Sequence, residues 1–352
     1  MTSWRRHRWT AIAVALLLTA AACSSDDTDT AADGDSASAS SAEASDGDET
    51  SAAEDDATDE DEAAEGDDTG TDTGGDEDEA ASPEDLGRVV LLGEEPTLAD
   101  LLALGIPVAA SSATVPGEGF QGMGELDTSG IEVYDYLNTS AEDLALLAPD
   151  QLIAYQRAVD FAGEEILAGV TGELHVIPDG ITTRERVLLL GEIFGREDRA
   201  AELVADLDAA QEAARAQVAE GCQVSVAAIY PGSNIATFIE PVWAVPTALD
   251  AMGCELVPGP EQSGADLNGR LFISLELVGL LEAPQLILLQ TDTVEGEREA
   301  IAEVGADELW QQLPAVESGR VSEIDRLGYP GILGETRLVG ELVAIIDDGA
   351  AG

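Results

Sequence analysis

The sequence predicts an α/β protein of two lobes joined by a single long backbone helix, and three observations carry that prediction. Short apolar runs alternate with helical segments from residue 88 to residue 346, the pattern of parallel sheets covered on both faces. Between the two sets of strands, residues 196–219 place apolar side chains at Ala200, Leu203, Leu207, Ala210, Ala214 and Val218. That spacing suits one helical face, and a helix of this length would span about 36 Å. Finally, residues 137–154 and 271–288 are copies of one another, with eight of eighteen aligned positions identical. The copies share Ser140 with Ser274, Glu142 with Glu276, and the Gln-Leu-Ile of 151–153 with that of 285–287. Each copy reads as a Ser-capped helix with Glu in its first turn, then a Pro-marked loop, then a buried strand.

The elements follow in order. Residues 88–93 (RVVLLG) form a short buried strand, 96–104 a helix, and 106–109 a second strand. A Gly-rich loop over 111–130 holds Phe120 and Met123, and the first repeat follows it. A helix over 159–169 leads to a strand at 174–177. Thr182 opens the next helix, which closes near Gly195. After Gly221 the alternation resumes with strands at 223–229 and 255–257. The resulting division is 86–195 for the first lobe, 196–220 for the connecting helix and 221–352 for the second lobe.

Residues 1–85 are of a different nature. Arg5, Arg6 and Arg8 precede the apolar run 9–18, and small residues lead to Cys23. The apolar run is short of the about 20 residues a membrane span needs, so 1–22 reads as a cleaved signal peptide. A cysteine directly after the small residues resembles a bacterial lipobox, in which Cys23 carries the lipid. Residues 24–85 contain 26 Asp or Glu and no Arg, with few apolar side chains. Such a segment does not bury enough surface to offset the entropy of ordering, so 23–85 is expected to be a disordered tether. Its end-to-end distance would be roughly 40–45 Å.

The chain has a net charge of −57 and no lysine. Residues 86–352 alone hold 46 acidic residues against 12 arginines, a net of −34. Nucleic acid and anionic lipid surfaces are therefore excluded as partners, leaving the lipid anchor as the only membrane contact. Cys222 and Cys254, an even pair in an exported chain, stand at the starts of two candidate strands and are expected to form a disulfide.

Together the lipobox, tether, repeat-bearing lobes and helical strut resemble the substrate-binding lipoproteins of ABC importers. The class is the helical-backbone one that serves ferric siderophores, haem and cobalamin. The resemblance runs through RVVLLGEEPTLADLLALGIPV, the two SxE repeats, GREDRAAELVADL, ALDAMGCELV and LWQQLPAVESGRVSEID. It implies two Rossmann-like α/β lobes and a monomeric receptor on the outer face of the cell membrane. It further implies that Glu142 and Glu276 engage arginines of a permease dimer, one glutamate per subunit. The reading that follows is capture of a ferric siderophore between the lobes. A cobalamin or haem receptor, or a surface binding or sensor protein without transport, are the alternatives.

In open α/β lobes, ligands meet the loops at the carboxyl ends of strands. The cleft candidates are Glu94, Glu95 and Thr97 after the first strand, and Tyr155, Gln156 and Arg157 after the first repeat. Tyr230, Trp243, Arg326 and Tyr329 complete the set in the second lobe. Tyr155 and Trp243 lead because their polar and Gly/Pro-rich neighbours place them on loops. Beyond the signal segment the one histidine, His175, lies in an apolar run and reads as a core or strand-end residue. A lone histidine argues against a zinc or manganese site and against His-dependent catalysis. No GxSxG elbow is present, and without lysine there is no GxxxxGK[ST] phosphate loop. The sequence thus predicts a binding protein with no catalytic residues, resident metal or cofactor.

Overall fold

The computed structural model describes residues 86–135 and 139–350; the signal segment, Cys23 and the acidic tether lie outside the described residues. The first lobe is built from β1 (Val89–Leu92), α1 (Glu95–Ala103), β2 (Ala110–Ser112), β3 (Glu132–Tyr134), α2 (Ala141–Leu146), β4 (Gln151–Tyr155), α3 (Gln156–Ala162), α4 (Glu164–Ala168) and β5 (Glu173–Ile177). Its five strands lie in the order β3-β2-β1-β4-β5, and every pairing is parallel.

Two helices follow, α5 (Thr183–Phe194) and α6 (Glu197–Arg215). A capping box between Thr182 and Glu185 opens α5, and Gly195 closes it in the left-handed conformation at φ 60°. The two helices cross so closely that a Cβ on Gly191 would lie 2.6 Å from that of Ala200. The strut α6 is shorter than the 24-residue helix expected, because the chain turns at Ala216–Val218 toward Gly221.

The second lobe comprises β6 (Gln223–Tyr230), β7 (Asn234–Phe238), α7 (Ala244–Ala251), β8 (Glu255–Leu256), β9 (Arg270–Ile273), a 3-10 turn (Leu275–Leu280), β10 (Gln285–Gln290), α8 (Glu297–Gly305), α9 (Glu308–Gln311), α10 (Pro314–Glu317), β11 (Val321–Asp325) and α11 (Gly331–Ala350). Its strand order is β11-β10-β6-β7-β9, with β8 beside the first half of β6. This sheet is mixed rather than parallel throughout. Gly232 and Ser233 both take positive φ and turn the chain into a β6–β7 hairpin, and β7 pairs β9 antiparallel. Cys222 and Cys254 precede the paired residues Gln223 and Glu255, and their sulfurs are bonded.

A second correction concerns residues 106–109, which are not a strand. Gly105 ends α1 in a Schellman motif, with Ile106 donating to the Leu101 carbonyl and Gly105 to that of Leu102. Pro107 then lacks a donor, and sheet register begins only at Ala110, opposite Val90.

Side-chain alternation sorts each sheet into two faces. Val89, Leu91 and Ile153 of the first sheet join Val224, Val226, Ala228 and Phe238 of the second in one core that also takes in α1, α5, α6, α7 and α11. The outer faces pack separately, around Leu152 in one lobe and Leu286 in the other. Helix α11 contributes most to continuity, since it returns to lie against α1, α6 and α7. His175 sits on β5 with its Nε2 3.0 Å from Gln151 Oε1 and its ring against Phe194, and burial lowers its pKa.

Within the shared core lies an ionic knot. Asp100 of α1 is fully buried and receives Arg186 Nε at 2.6 Å and the Ile332 amide at 2.7 Å. Burial raises the pKa of Asp100, opposed by the adjacent guanidinium. Removing one partner strands a buried charge, so Asp100→Leu should cost about 3–5 kcal/mol in urea unfolding. Adding Arg186→Met should recover most of that loss; a double variant as unstable as the single would show that the charge pair is not the cause.

Candidate ligand cleft

The carboxyl edges of both sheets are set by topology. All first-lobe strands end on one edge, and in the second lobe β6, β9, β10 and β11 share one direction. Tyr155 closes β4 and Tyr230 closes β6, each on the face of its sheet that carries the shared core. Glu94 follows β1, and Arg326 follows β11.

In the first lobe, Tyr155 is half-buried and its hydroxyl lies 2.6 Å from Thr97 Oγ1. Burial raises its pKa. The Arg157 guanidinium stands 5.0 Å over the Tyr155 ring and pairs with Glu94 at 3.1 Å. Gln156 turns to Asp160 on its own helix. Glu95 and Thr97 are placed inside the lobe rather than on its wall. The Glu95 carboxylate accepts from the Thr114 amide and hydroxyl, fixing the start of the loop after β2.

The second lobe assembles an aromatic enclosure around a residue the sequence reading did not single out. Arg270 opens β9, and its guanidinium carbon lies 5.4 Å from the Phe272 ring centre, 5.8 Å from Tyr230 and 5.9 Å from Trp243. It donates to the Tyr230 hydroxyl at 3.2 Å and makes two bonds to Asp266 Oδ2. Arg326 lies 5.3 Å over the Tyr230 ring and pairs with buried Glu297. Phe272 is 53% exposed, an apolar ring open to a ligand. The alternation Arg270-Leu271-Phe272-Ile273 is the signal that could have found this pair, since it puts Arg270 and Phe272 on one face. Tyr329 stands apart from the enclosure, its hydroxyl bonded to Glu341 and its pKa raised by burial and that carboxylate.

The lobes meet beside the cleft. A Cβ on Gly122 would collide with the Leu327 carbonyl, and Arg337 of α11 donates to the carbonyls of Gly122 and Gly328. The loop after β2 is thus latched to the loop after β11.

The repeated glutamates occupy equivalent places. β4 flanks β1 just as β10 flanks β6, and the segments that enter them begin at Ser140 and Ser274. Those serines follow strands that end at the carboxyl edges, so both first turns lie on the cleft side. Glu142 and Glu276 are exposed. The turns differ in detail: Ser140 forms a capping box with Asp143 in α2, whereas the second copy is a 3-10 turn. A hydrogen bond with the Ser274 side chain lowers the pKa of Glu276.

Among the described residues no group of three or more His, Cys, Asp or Glu is placed to hold a metal ion, and no helix is long and apolar enough to cross a membrane. The Thr97–Tyr155 bond gives a direct test of the first-lobe wall. Tyr155→Phe leaves the fully buried Thr97 hydroxyl without that partner and should cost about 1–3 kcal/mol in urea unfolding. A neutral result would mean that another partner satisfies Thr97.

Comparison with solved structures returns the same architecture. The FeuA triscatecholate siderophore binding protein of Bacillus subtilis, complexed with ferri-bacillibactin, aligns with TM-score 0.61 at 18% identity, covering 74% of this chain and 92% of that one. FhuD of Vibrio cholerae with bound Fe3+-Desferal aligns at 0.60 and 16% identity, over 74% and 98%. FhuD2 of Staphylococcus aureus with ferrioxamine B aligns at 0.59 and 15%, over 75% and 99%. At these identities the likeness is one of fold. No curated protein sequence matches. The profile of the periplasmic binding proteins matches residues 89–326, about two thirds of the chain, and on that match the chain belongs to the periplasmic binding protein family.

Proposed function

We propose that the chain captures a ferric siderophore between its lobes and delivers it to an ABC permease. The observation that carries this reading is the cluster of Tyr230, Trp243, Phe272 and Arg270 across the inner face of the second sheet, with Tyr155 and Arg157 at the carboxyl edge of the first. Aromatic rings and guanidinium planes suit a chelate that is broad, partly apolar and rich in oxygen acceptors. The aligned structures of FeuA, FhuD and FhuD2 each hold an iron chelate, which supports the same cargo class here. Haem fits less well, because the hydroxyls of Tyr155, Tyr230 and Tyr329 are all engaged within the protein.

Docking falls to Glu142 and Glu276, whose matched positions in two similar lobes suit a two-fold permease. The receptor is a monomer held to the outer face of the membrane by a lipid on Cys23, with residues 24–85 as its tether. Helices α6 and α11 both adjoin the shared core, so the lobes should move little on binding.

Two measurements test the reading. Titration of the protein with ferric siderophores, cobalamin and haemin should quench Trp243 fluorescence saturably with a ferric siderophore alone. Saturation by haemin or cobalamin instead would reassign the cargo. In cells carrying the cognate permease, Glu142→Ala with Glu276→Ala should abolish uptake while leaving affinity intact; surviving uptake would remove the docking assignment.

A further inference from the structure

Resting on the siderophore reading, we infer that the cargo is a ferric complex of zero or positive net charge, of the hydroxamate type, and not a trianionic triscatecholate. Three singly charged hydroxamates cancel the charge of a ferric ion, whereas three doubly charged catecholates leave a trianion. The two classes therefore demand opposite electrostatics from a cleft of similar size and shape.

Arginine is the only side chain here able to supply permanent positive charge, and the arginines of the enclosure and the carboxyl edges are all held, each but Arg337 by a carboxylate. Arg270 is bound to Asp266 through Nε at 2.9 Å and Nη2 at 2.7 Å. That carboxylate is itself fixed, since its other oxygen accepts from the amides of Asn268 at 2.9 Å and Arg270 at 3.0 Å. It has no freedom to swing away and release the guanidinium to a ligand. Arg326 is matched by Glu297, which is fully buried and held by the Thr291 amide at 2.8 Å. Arg157 is paired with Glu94, and Arg298 with both Asp292 and Glu323. Arg337 carries no carboxylate partner among the described residues, but its guanidinium is committed to the carbonyls of Gly122 and Gly328, where it latches the two loops.

The remaining polar signal points the same way. Glu297 Oε2 is buried and meets no hydrogen-bond donor, an acceptor left over beside Arg326. A site built for a trianion would leave donors over instead. Around this balanced edge the folded region holds 46 acidic residues against 12 arginines, so nothing at longer range draws an anion inward. What the enclosure offers a ligand is ring surface and hydrogen-bonding groups with their charges already cancelled. That suits a neutral or cationic chelate, which needs shape and contact rather than counter-charge.

Equilibrium dialysis of the full chain against radio-iron complexes provides the test. Ferrioxamine B, a cation, and ferrichrome, which is neutral, should bind at least about 100-fold more tightly than a ferric triscatecholate. Asp266→Asn, which keeps the amide acceptor but frees the Arg270 charge, should raise trianion affinity relative to ferrichrome by about 10-fold. Equal or tighter binding of the trianion by the unaltered protein, or an unchanged ratio in the variant, overturns the charge inference and leaves the siderophore reading standing. Rejection of all three complexes overturns both.

Discussion

The buried carboxylate of Asp100 is the constraint on which the rest of the molecule depends. It joins the first helix of the first lobe to α5 through Arg186 and to the start of α11 through the Ile332 amide. A lone carboxylate in that position would be prohibitive, and even a paired one gains little over an apolar substitute. What it supplies is registration: both oxygens are used, each by a donor from a different helix. Gly331 fits only because it has no side chain, since a Cβ there would lie 2.6 Å from Asp100 Oδ1. With those three helices fixed, the shared core positions both sheets, and the rims of the cleft inherit their places.

The two lobes are alike where they would meet a partner and unlike where they would meet a ligand. The SxE segments feed strands in equivalent sheet positions, β4 beside β1 and β10 beside β6. Beyond β6 the likeness ends, because the second lobe inserts an antiparallel hairpin where the first continues in parallel. That departure brings Arg270 and Phe272 onto the face that carries Tyr230 and Trp243. The irregular part of the second sheet is thus the part that builds the enclosure.

Much of this was legible in the sequence, for reasons that can be named. Thr182 and Gly195 bounded α5 because capping chemistry is local. Tyr155 closes a strand instead of lying on a loop, because β4 runs into α3 with no residue between them. Residues 106–109 were misread because an apolar run after a helix resembles a strand, while the Gly105 termination motif consumed Ile106. The hairpin was missed because Pro231-Gly232-Ser233 permits a turn without stating which way the next strand runs. Glu95 illustrates the deeper limit: its residue type suits a cleft wall, but its partner Thr114 lies 19 positions away and only the fold unites them. Charge pairing is a property of neighbours, and the sequence names neighbours only along the chain.

The Asp100–Ile332 bond spans 232 positions, which gives the protein an order of completion. A chain emerging amino end first can assemble all five strands of its first sheet while this carboxylate oxygen still lacks its donor. Helix α11 must arrive before the inner face of that sheet is sealed, so a nascent chain lacking it presents an unfinished lobe to its surroundings. Chaperones and proteases would therefore meet an open lobe until α11 docks, and its twenty residues act as the closing stitch of the two lobes.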